Sequence, residues 1–250
     1  MSGHSKWSSI KHQKGAKDVQ RGALFTKLAR EISVAVRSGG GGDPEANYRL
    51  RLAIQKAKSN NMPNDNIDRS IKKALGEGDG ANYDEVIYEG FGPGGAAILV
   101  QALTDNRNRT VSEVRSAFAK YGGNMGESGS VGWMFANRGV ITINTDGKDP
   151  DDVALTAIDA GAADVENSDG VLEAYTEPQD LKAVEEAIRA GGLEVDEADL
   201  RYIAATPIEL DDNQTAQALR LIDKLEDLDD VQQVYSNLEI SDDVLAQLSA

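Results

Sequence analysis

The apolar residues change their spacing at residues 76–82, where the segment GEGDGAN interrupts the chain. Before this segment they recur every three or four positions, which is the spacing of an amphipathic helix. The pattern predicts a first helix from about Asp18 to Arg37 and a third from about Asp65 to Leu75. Between them, Asp43 and Pro44 have the form of an N-cap and a first helical residue, so we expect the second helix to begin there. Three short helices of this kind form one bundle.

Beyond residue 82 the pattern is that of strands. DEVIYEG and AAILVQAL are short, rich in Val, Ile, Leu and Tyr, and bounded by glycines. The segment GFGPGG at residues 90–95 matches the spacing of a dinucleotide-binding loop, but such a loop follows a strand and opens a helix. Here a second strand follows. We therefore predict a glycine-rich hairpin turn in place of a nucleotide site.

From Gly139 the segments follow the order βαββαβ, which is the ferredoxin-like arrangement. A helix from about Gln214 and the strand DVQQVY come after it and have no local sheet to join, so we expect them to return to the sheet begun by residues 84–103. The predicted fold class is α+β, with an N-terminal helical bundle followed by two α/β domains, the ferredoxin-like one inserted in the other. The predicted bounds are 1–79 for the basic helical domain, 80–131 with 206–250 for the middle domain, and 132–205 for the insertion.

Charge is divided unequally along the chain. Residues 1–75 hold 15 lysines and arginines against 6 aspartates and glutamates, a net charge of +9, and the remainder holds 11 against 36, a net charge of −25. A basic end on an acidic protein suits a polyanion, because the acidic part orients the approach to phosphate. The alternative is a basic helix face that is merely solvated.

The candidate nucleic-acid contacts are the cations of this end, together with two arginines of the segment TDNRNRT. Trp7 either stacks on a base or anchors the tail to the bundle. Arg107 and Arg109 precede a T-x-x-E capping box, Thr110 to Glu113, and either contact phosphate or pair with carboxylates of this half. The full set is Lys6, Trp7, Lys11, His12, Lys14, Lys17, Arg21, Lys27, Arg30, Arg49, Arg51, Arg107 and Arg109.

Signals for catalysis, metals and membranes are weak. The chain has no cysteine, and its two histidines, His4 and His12, both lie in the basic segment, so we predict no metal site, no cofactor and no catalytic residues. The start lacks the apolar core of a signal peptide, and no apolar run approaches the roughly 20 residues that cross a bilayer. We expect a cytoplasmic protein without a membrane partner.

Several motifs together resemble the YebC/PmpR family. They are GHSKW, FTKLAREI, GGGGDPEANYRLR, AKSNNMP, YEGFGPGG, LTDNRNRT, GGNMGESGSV and LIDKLEDLDDVQQVY, and they run from the first residues to Tyr235. The resemblance implies a three-domain α/β protein of the bacterial cytosol that is classed as a DNA-binding transcriptional regulator. It also implies a link to translation, because mitochondrial relatives activate translation of cytochrome c oxidase and the family is tied to ribosome function.

We therefore expect a non-enzymatic, monomeric regulator of gene expression that binds nucleic acid, either DNA or RNA, with the ribosome among the candidate partners. Two alternatives remain at this point. One is an enzyme or anion-binding protein that acts on a phosphorylated small molecule through the GFGPGG and TDNRNRT loops. The other is an acidic protein–protein adaptor.

Overall fold

The computed structural model describes residues 18–76, 82–168 and 170–240. They separate into two compact units: Ala136–Ile203 forms one, and the described residues on either side of it form the other. The helices are α1 Asp18–Ser38, α2 Tyr48–Ser59, α3 Asn64–Ala74, α4 Arg107–Lys120, α5 Pro150–Asp159, α6 Leu181–Ala190 and α7 Asp212–Glu226. The strands are β1 Asp84–Phe91, β2 Ala97–Thr104, β3 Asn124–Met125, β4 Phe135–Asn144, β5 Asp164–Ser168, β6 Val171–Thr176, β7 Val195–Ala204, β8 Ile208–Glu209, β9 Val231–Ser236 and β10 Leu238–Glu239.

Helices α1 to α3 form the predicted bundle around Ile32, Leu50, Ala57 and Ile67, all of which are buried. The second helix, however, begins at Tyr48 and not at Pro44, because its N-cap is Asn47, whose Oδ1 accepts a hydrogen bond from the Leu50 amide. The prediction of Asp43 as the cap was wrong. Asp43 instead closes a turn, since its carbonyl accepts hydrogen bonds from the amides of residues 46 and 47.

Asn47 also ties the end of α1 to the start of α2. Its Nδ2 donates to the carbonyls of Ala35 and Gly41, each at 2.8 Å, and the residue is only 2% exposed. The Ala35 carbonyl lies in the last turn of α1 and also accepts a hydrogen bond from the Gly39 amide, and Gly41 lies three residues after the helix end. One buried side chain therefore links the end of α1 to the start of α2.

The segment NNMP joins α2 to α3. Asn61 takes the left-handed conformation with φ of 58°, which Asn tolerates better than most residues, and the Met62 amide donates back to Ala57 O. This turn buries the Met62 side chain in the bundle core. Pro63 then precedes α3, as expected after a helix end.

The first sheet has the strand order β3-β1-β2-β9. β1 and β2 pair antiparallel from Asp84 with Thr104 to Phe91 with Ala97, which confirms the predicted hairpin at GFGPGG. β9 pairs antiparallel with β2, which confirms that the chain returns to this sheet. Helices α4 and α7 cover one face through a core that includes Val100, Phe118 and Ile222.

Helix α4 begins earlier than the predicted capping box. Its N-cap is Asn106, whose Oδ1 accepts a hydrogen bond from the Arg109 amide at 3.1 Å. The prediction of Thr110 as the cap was therefore wrong, because Thr110 is buried and its hydroxyl is used elsewhere. Arg107 and Arg109 accordingly lie in the first turn of the helix and not in the loop before it.

The unit Ala136–Ile203 contains the second sheet, of order β5-β6-β4-β7. β6 lies between β5 and β4 and runs antiparallel to both, which confirms the ferredoxin-like order βαββαβ. Its buried side chains include Ile141 and Leu172 from the strands and Val153 and Ile188 from the helices. The α+β class is thus confirmed, whereas the domain bounds at 79, 131 and 205 stay a prediction. Within the described ranges, no helix has both the length and the apolar character needed to cross a bilayer.

Candidate nucleic-acid interface

Six of the thirteen predicted contacts, in the tail that precedes α1, lie outside the described residues: Lys6, Trp7, Lys11, His12, Lys14 and Lys17. The other seven are described. Of these, Arg21 lies exposed near the start of α1.

The two predicted cations in the middle of α1 are used inside the protein. Lys27 Nζ donates to the carbonyl of Glu226 at 2.5 Å, and Arg30 Nη1 donates to Asp230 Oδ1 at 2.8 Å and to the carbonyl of Asp229. The Arg30 side chain is only 14% exposed. This side of α1 therefore faces the connection between α7 and β9. From sequence spacing alone, Lys27 and Arg30 were expected on a basic outer surface.

Asp230 is the centre of a buried network. Its Oδ2 accepts hydrogen bonds from Arg109 Nη2 at 2.7 Å, Thr110 Oγ1 at 2.7 Å and Thr104 Oγ1 at 3.1 Å. Burial raises the pKa of Asp230, but these hydrogen bonds and the charge of Arg30 outweigh burial, and the pKa lies below its ordinary value. The anion beside the start of α4 is thus this chain's own carboxylate.

The remaining predicted arginines are paired near the surface. Arg107 lies 2.7 Å from Asp84, and Arg49 lies 2.9 Å from Glu85. Arg51 lies 3.6 Å from a Glu45 carboxylate oxygen. For Arg107 and Arg109, the alternative of carboxylate pairing is what the structure shows. Exposed pairs of this kind contribute about 0–1 kcal/mol, so they hold the side chains only weakly.

A second set of cations was missed as a site. Lys58 at the end of α2, and Arg69, Lys72 and Lys73 on α3, are exposed and have no carboxylate partner within the described part of the chain. The signal was present in the sequence, because these residues fall off the apolar stripe of their helices. It did not stand out, since the paired arginines of α1 and α2 show the same spacing.

A groove of about 390 Å³ runs between α1 and α3. Four cations line it, Arg30, Arg37, Arg69 and Lys73, and its other lining residues are Phe25, Thr26, Ala29, Ser33, Met62, Asn66, Ser70, Ala74 and Tyr83. No carboxylate is among the described residues that line it. A concave surface with one sign of charge concentrates the field and attracts anions.

The glycine-rich loop GGNMGESGS is organised by a buried carboxylate. Glu89 of β1 accepts hydrogen bonds from the amides of Gly129, Val131 and Gly132 at 2.6–2.7 Å. Burial raises the pKa of Glu89, while these three backbone donors lower it, and the net shift is downward. The amides that could cradle a phosphate in this loop are therefore already occupied. Across the described ranges, no group of three or more His, Cys, Asp or Glu side chains is placed to hold a metal ion.

Comparison with known proteins places the chain in a family. The family model described as the second and third domain of TACO1/YebC matches residues 83–238, and the TACO1/YebC N-terminal domain model matches residues 5–77. A protein of Roseiflexus castenholzii named "probable transcriptional regulatory protein" is 55% identical over 99% of this chain and 98% of its own length. A protein of Chloroflexus aurantiacus with the same name is 54% identical over the full length of both chains.

The fold is also similar to a solved structure. The crystal structure of a conserved hypothetical protein from Aquifex aeolicus has a TM-score of 0.83 and 45% sequence identity, and the match covers 92% of this chain and 96% of that one. The two domain models and the full-length relatives agree with the motifs from GHSKW to LIDKLEDLDDVQQVY. The chain belongs to the TACO1/YebC family.

Proposed function

We propose that the protein is a non-enzymatic regulator of gene expression that binds nucleic acid through α2 and α3. The observation that carries this proposal is the set of exposed cations Lys58, Arg69, Lys72 and Lys73, which have no carboxylate partner in the described ranges. Cations that are already paired must exchange one anion for another, whereas these four gain charge neutralisation when phosphate binds. The name of the curated relatives supports the regulatory role.

The acidic unit supports an oriented mode of binding. Residues 136–203 hold 5 lysines and arginines against 17 aspartates and glutamates, a net charge of −12. Such a unit repels phosphate, so only the cationic helices approach the phosphate groups closely. We infer that this unit remains outside the nucleic-acid contact.

The shape of the cationic surface favours RNA over an operator duplex. A reading helix must protrude into a major groove and present base-contacting side chains there. Helix α3 instead turns Asn66, Arg69 and Lys73 toward the groove beside α1. We propose that binding is led by charge and shape with weak sequence preference, and that the target is an RNA, with ribosomal RNA included, met by a monomer in the cytoplasm.

The small-molecule alternative placed its anion sites at the GFGPGG and TDNRNRT loops, and in GFGPGG the amides of Gly92 and Gly95 already donate to the carbonyls of Ala96 and Gly92. Asp230 fills the position beside the start of α4, and Glu89 fills the amides of the loop at residues 129–132. A phosphorylated substrate would have to displace a buried carboxylate at either place, which costs desolvation without a new partner for that carboxylate. These contacts favour a binding protein over an enzyme of phosphate esters.

The test is crosslinking in cells followed by sequencing of the bound nucleic acid. The wild type is compared with a variant in which Lys58, Arg69, Lys72 and Lys73 are all changed to Ala. The matched control changes four exposed cations elsewhere to Ala: Arg115, Lys120, Lys148 and Arg220. We expect the first variant to lose most crosslinked RNA and the control to keep it.

Three outcomes contradict the proposal in different ways. Recovery of promoter DNA in place of RNA contradicts the choice of target. Equal loss in both variants contradicts the assignment to α2 and α3. Absence of any salt-sensitive retention of nucleic acid by the wild type favours the acidic adaptor.

A further inference from the structure

The groove between α1 and α3 is lined by two chemically different kinds of side chain, charged and apolar. The charged side chains Arg69 and Lys73 lie one helical turn apart on α3, about 6 Å along the axis, so both can reach one phosphate. Apolar and aromatic groups are also present, from Phe25, Met62 and Tyr83. A site for a bare anion needs only the charged side chains, whereas a nucleotide uses both kinds.

The hydroxyl groups of the groove present oxygen acceptors. Thr26, Ser33 and Ser70 each donate their hydroxyl hydrogen to the carbonyl four residues earlier in their own helix, at 2.8–3.0 Å. Their oxygen lone pairs remain available to accept hydrogen bonds. Phosphate oxygens cannot donate to them, but the amino groups of bases and the 2′-hydroxyl of ribose can.

The Tyr83 ring contacts Arg30 of the first helix. The guanidinium carbon of Arg30 lies 5.5 Å from the centre of the Tyr83 ring, within the range of a cation–π contact, and Arg30 is fixed by Asp230. Arg30 Nε is buried and has no hydrogen-bond partner within the described part of the chain. Asp230 offsets the charge of Arg30, and Arg37 donates a hydrogen bond to Asn82 Oδ1. The groove therefore keeps Arg69 and Lys73 as exposed cations that have no carboxylate partner in the described ranges.

We propose that this groove binds one unpaired nucleotide of a single-stranded nucleic acid, with its phosphate between Arg69 and Lys73 and its base against Tyr83 and Phe25. The inference rests on the proposed function and deepens it, because it names the form of the ligand. The volume of about 390 Å³ lies within the range of pockets that enclose small molecules. A duplex keeps its bases stacked and paired, so it offers only its backbone to this surface.

The test compares binding of a 12-nucleotide single-stranded RNA and a 12-base-pair RNA duplex by fluorescence anisotropy, using the full-length protein. One variant carries Arg69→Ala with Lys73→Ala, in the groove. Its matched control carries Lys58→Ala with Lys72→Ala, which removes the same charge from the same bundle but outside the groove lining. Circular dichroism and thermal unfolding establish that each variant is folded.

We expect the control pair of substitutions to lower the affinity for both RNAs by the same factor, since it removes only general attraction to phosphate. The groove pair should lower the affinity for the single strand by a factor about tenfold larger than for the duplex. Tyr83→Leu, which keeps an apolar side chain but removes the ring, should weaken only the single strand, by about tenfold, the size of one base stack. In addition, single-stranded RNA that carries 4-thiouridine should crosslink to Phe25 or Tyr83.

The failure of this inference differs from the failure of the proposed function. If both pairs weaken single strand and duplex alike and Tyr83→Leu has no effect, the groove does not hold a nucleotide, although the cationic surface still binds. If neither pair weakens either RNA, both proposals are overturned.

Discussion

Arg30 Nη1 of the first helix lies 2.8 Å from Asp230 Oδ1, although the two residues are 200 positions apart in sequence. Through this pair and through Arg109, Asp230 connects the helical bundle with helix α4 and the first sheet. A cation that sequence reasoning assigned to a partner is thus part of the internal structure. We therefore expect nucleic-acid binding and folding stability to depend on different basic residues.

The Asp230 network predicts a large effect on stability. Asp230→Ala leaves Arg30 with a mostly buried and uncompensated charge, which should lower the free energy of unfolding by about 3 kcal/mol. Asp229→Ala is the control, because Asp229 is exposed and only its backbone carbonyl contacts Arg30. Urea unfolding followed by circular dichroism measures both variants. Equal stabilities for the two would show that the network contributes little.

The hydrogen bonds of Glu89 should make the free energy of unfolding depend on pH. Its pKa is lower in the folded protein than in the unfolded chain, so its stabilising contribution is complete above the unfolded value of about 4.3 and is lost as pH falls through the folded value. Glu89→Gln should cost about 2 kcal/mol near neutral pH, because a charged acceptor of three amides is removed.

The difference between wild type and Glu89→Gln should therefore shrink as the solution is acidified below about pH 4. Trp133, on the 3₁₀ turn that begins at Gly132, is 76% exposed and reports on the loop by fluorescence when Trp7 is changed to Phe. A difference in unfolding free energy that stays constant between pH 7 and pH 3 would count against the carboxylate as the anchor.

Asn47 predicts a local effect in the bundle. Asn47→Ala removes two hydrogen bonds to the end of α1 and the cap of α2, and should destabilise the protein by about 2 kcal/mol. Asn108→Ala on the exposed side of α4 provides the comparison and should change stability by less than about 0.5 kcal/mol. The midpoint of urea unfolding distinguishes them. A loss no larger than that of Asn108→Ala would mean that water replaces the three bonds.

The parts of the fold that follow from local periodicity could be predicted from sequence. Helix α3 was expected from Asp65 to Leu75 and runs from Asn64 to Ala74, and the antiparallel β1–β2 hairpin was expected because a strand follows GFGPGG. The βαββαβ order also followed from spacing alone. Each of these depends on residues within one or two elements of each other.

Helix starts and charge partners could not be predicted in the same way. Asp43 and Thr110 satisfy the local rules for caps, but Asn47 and Asn106 act as caps because the turns before them place their side chains at the amides. Likewise, Arg49 pairs with Glu85, and Arg30 with Asp230, only because the fold brings distant segments together. Lys58, Arg69, Lys72 and Lys73 stand out only after those pairs are known.

If the four cations Lys58, Arg69, Lys72 and Lys73 neutralise phosphate, they must contribute to the salt dependence of RNA affinity. The slope of log affinity against log salt is measured with one single-stranded RNA for the wild type, for the variant with all four changed to Ala, and for the variant with Arg115, Lys120, Lys148 and Arg220 changed to Ala. Each phosphate that the protein no longer neutralises should make the slope shallower by about 0.7. We predict a slope shallower by about 3 for the first variant and an unchanged slope for the second. Equal slopes for the first variant and the wild type would show that these four cations do not neutralise phosphate.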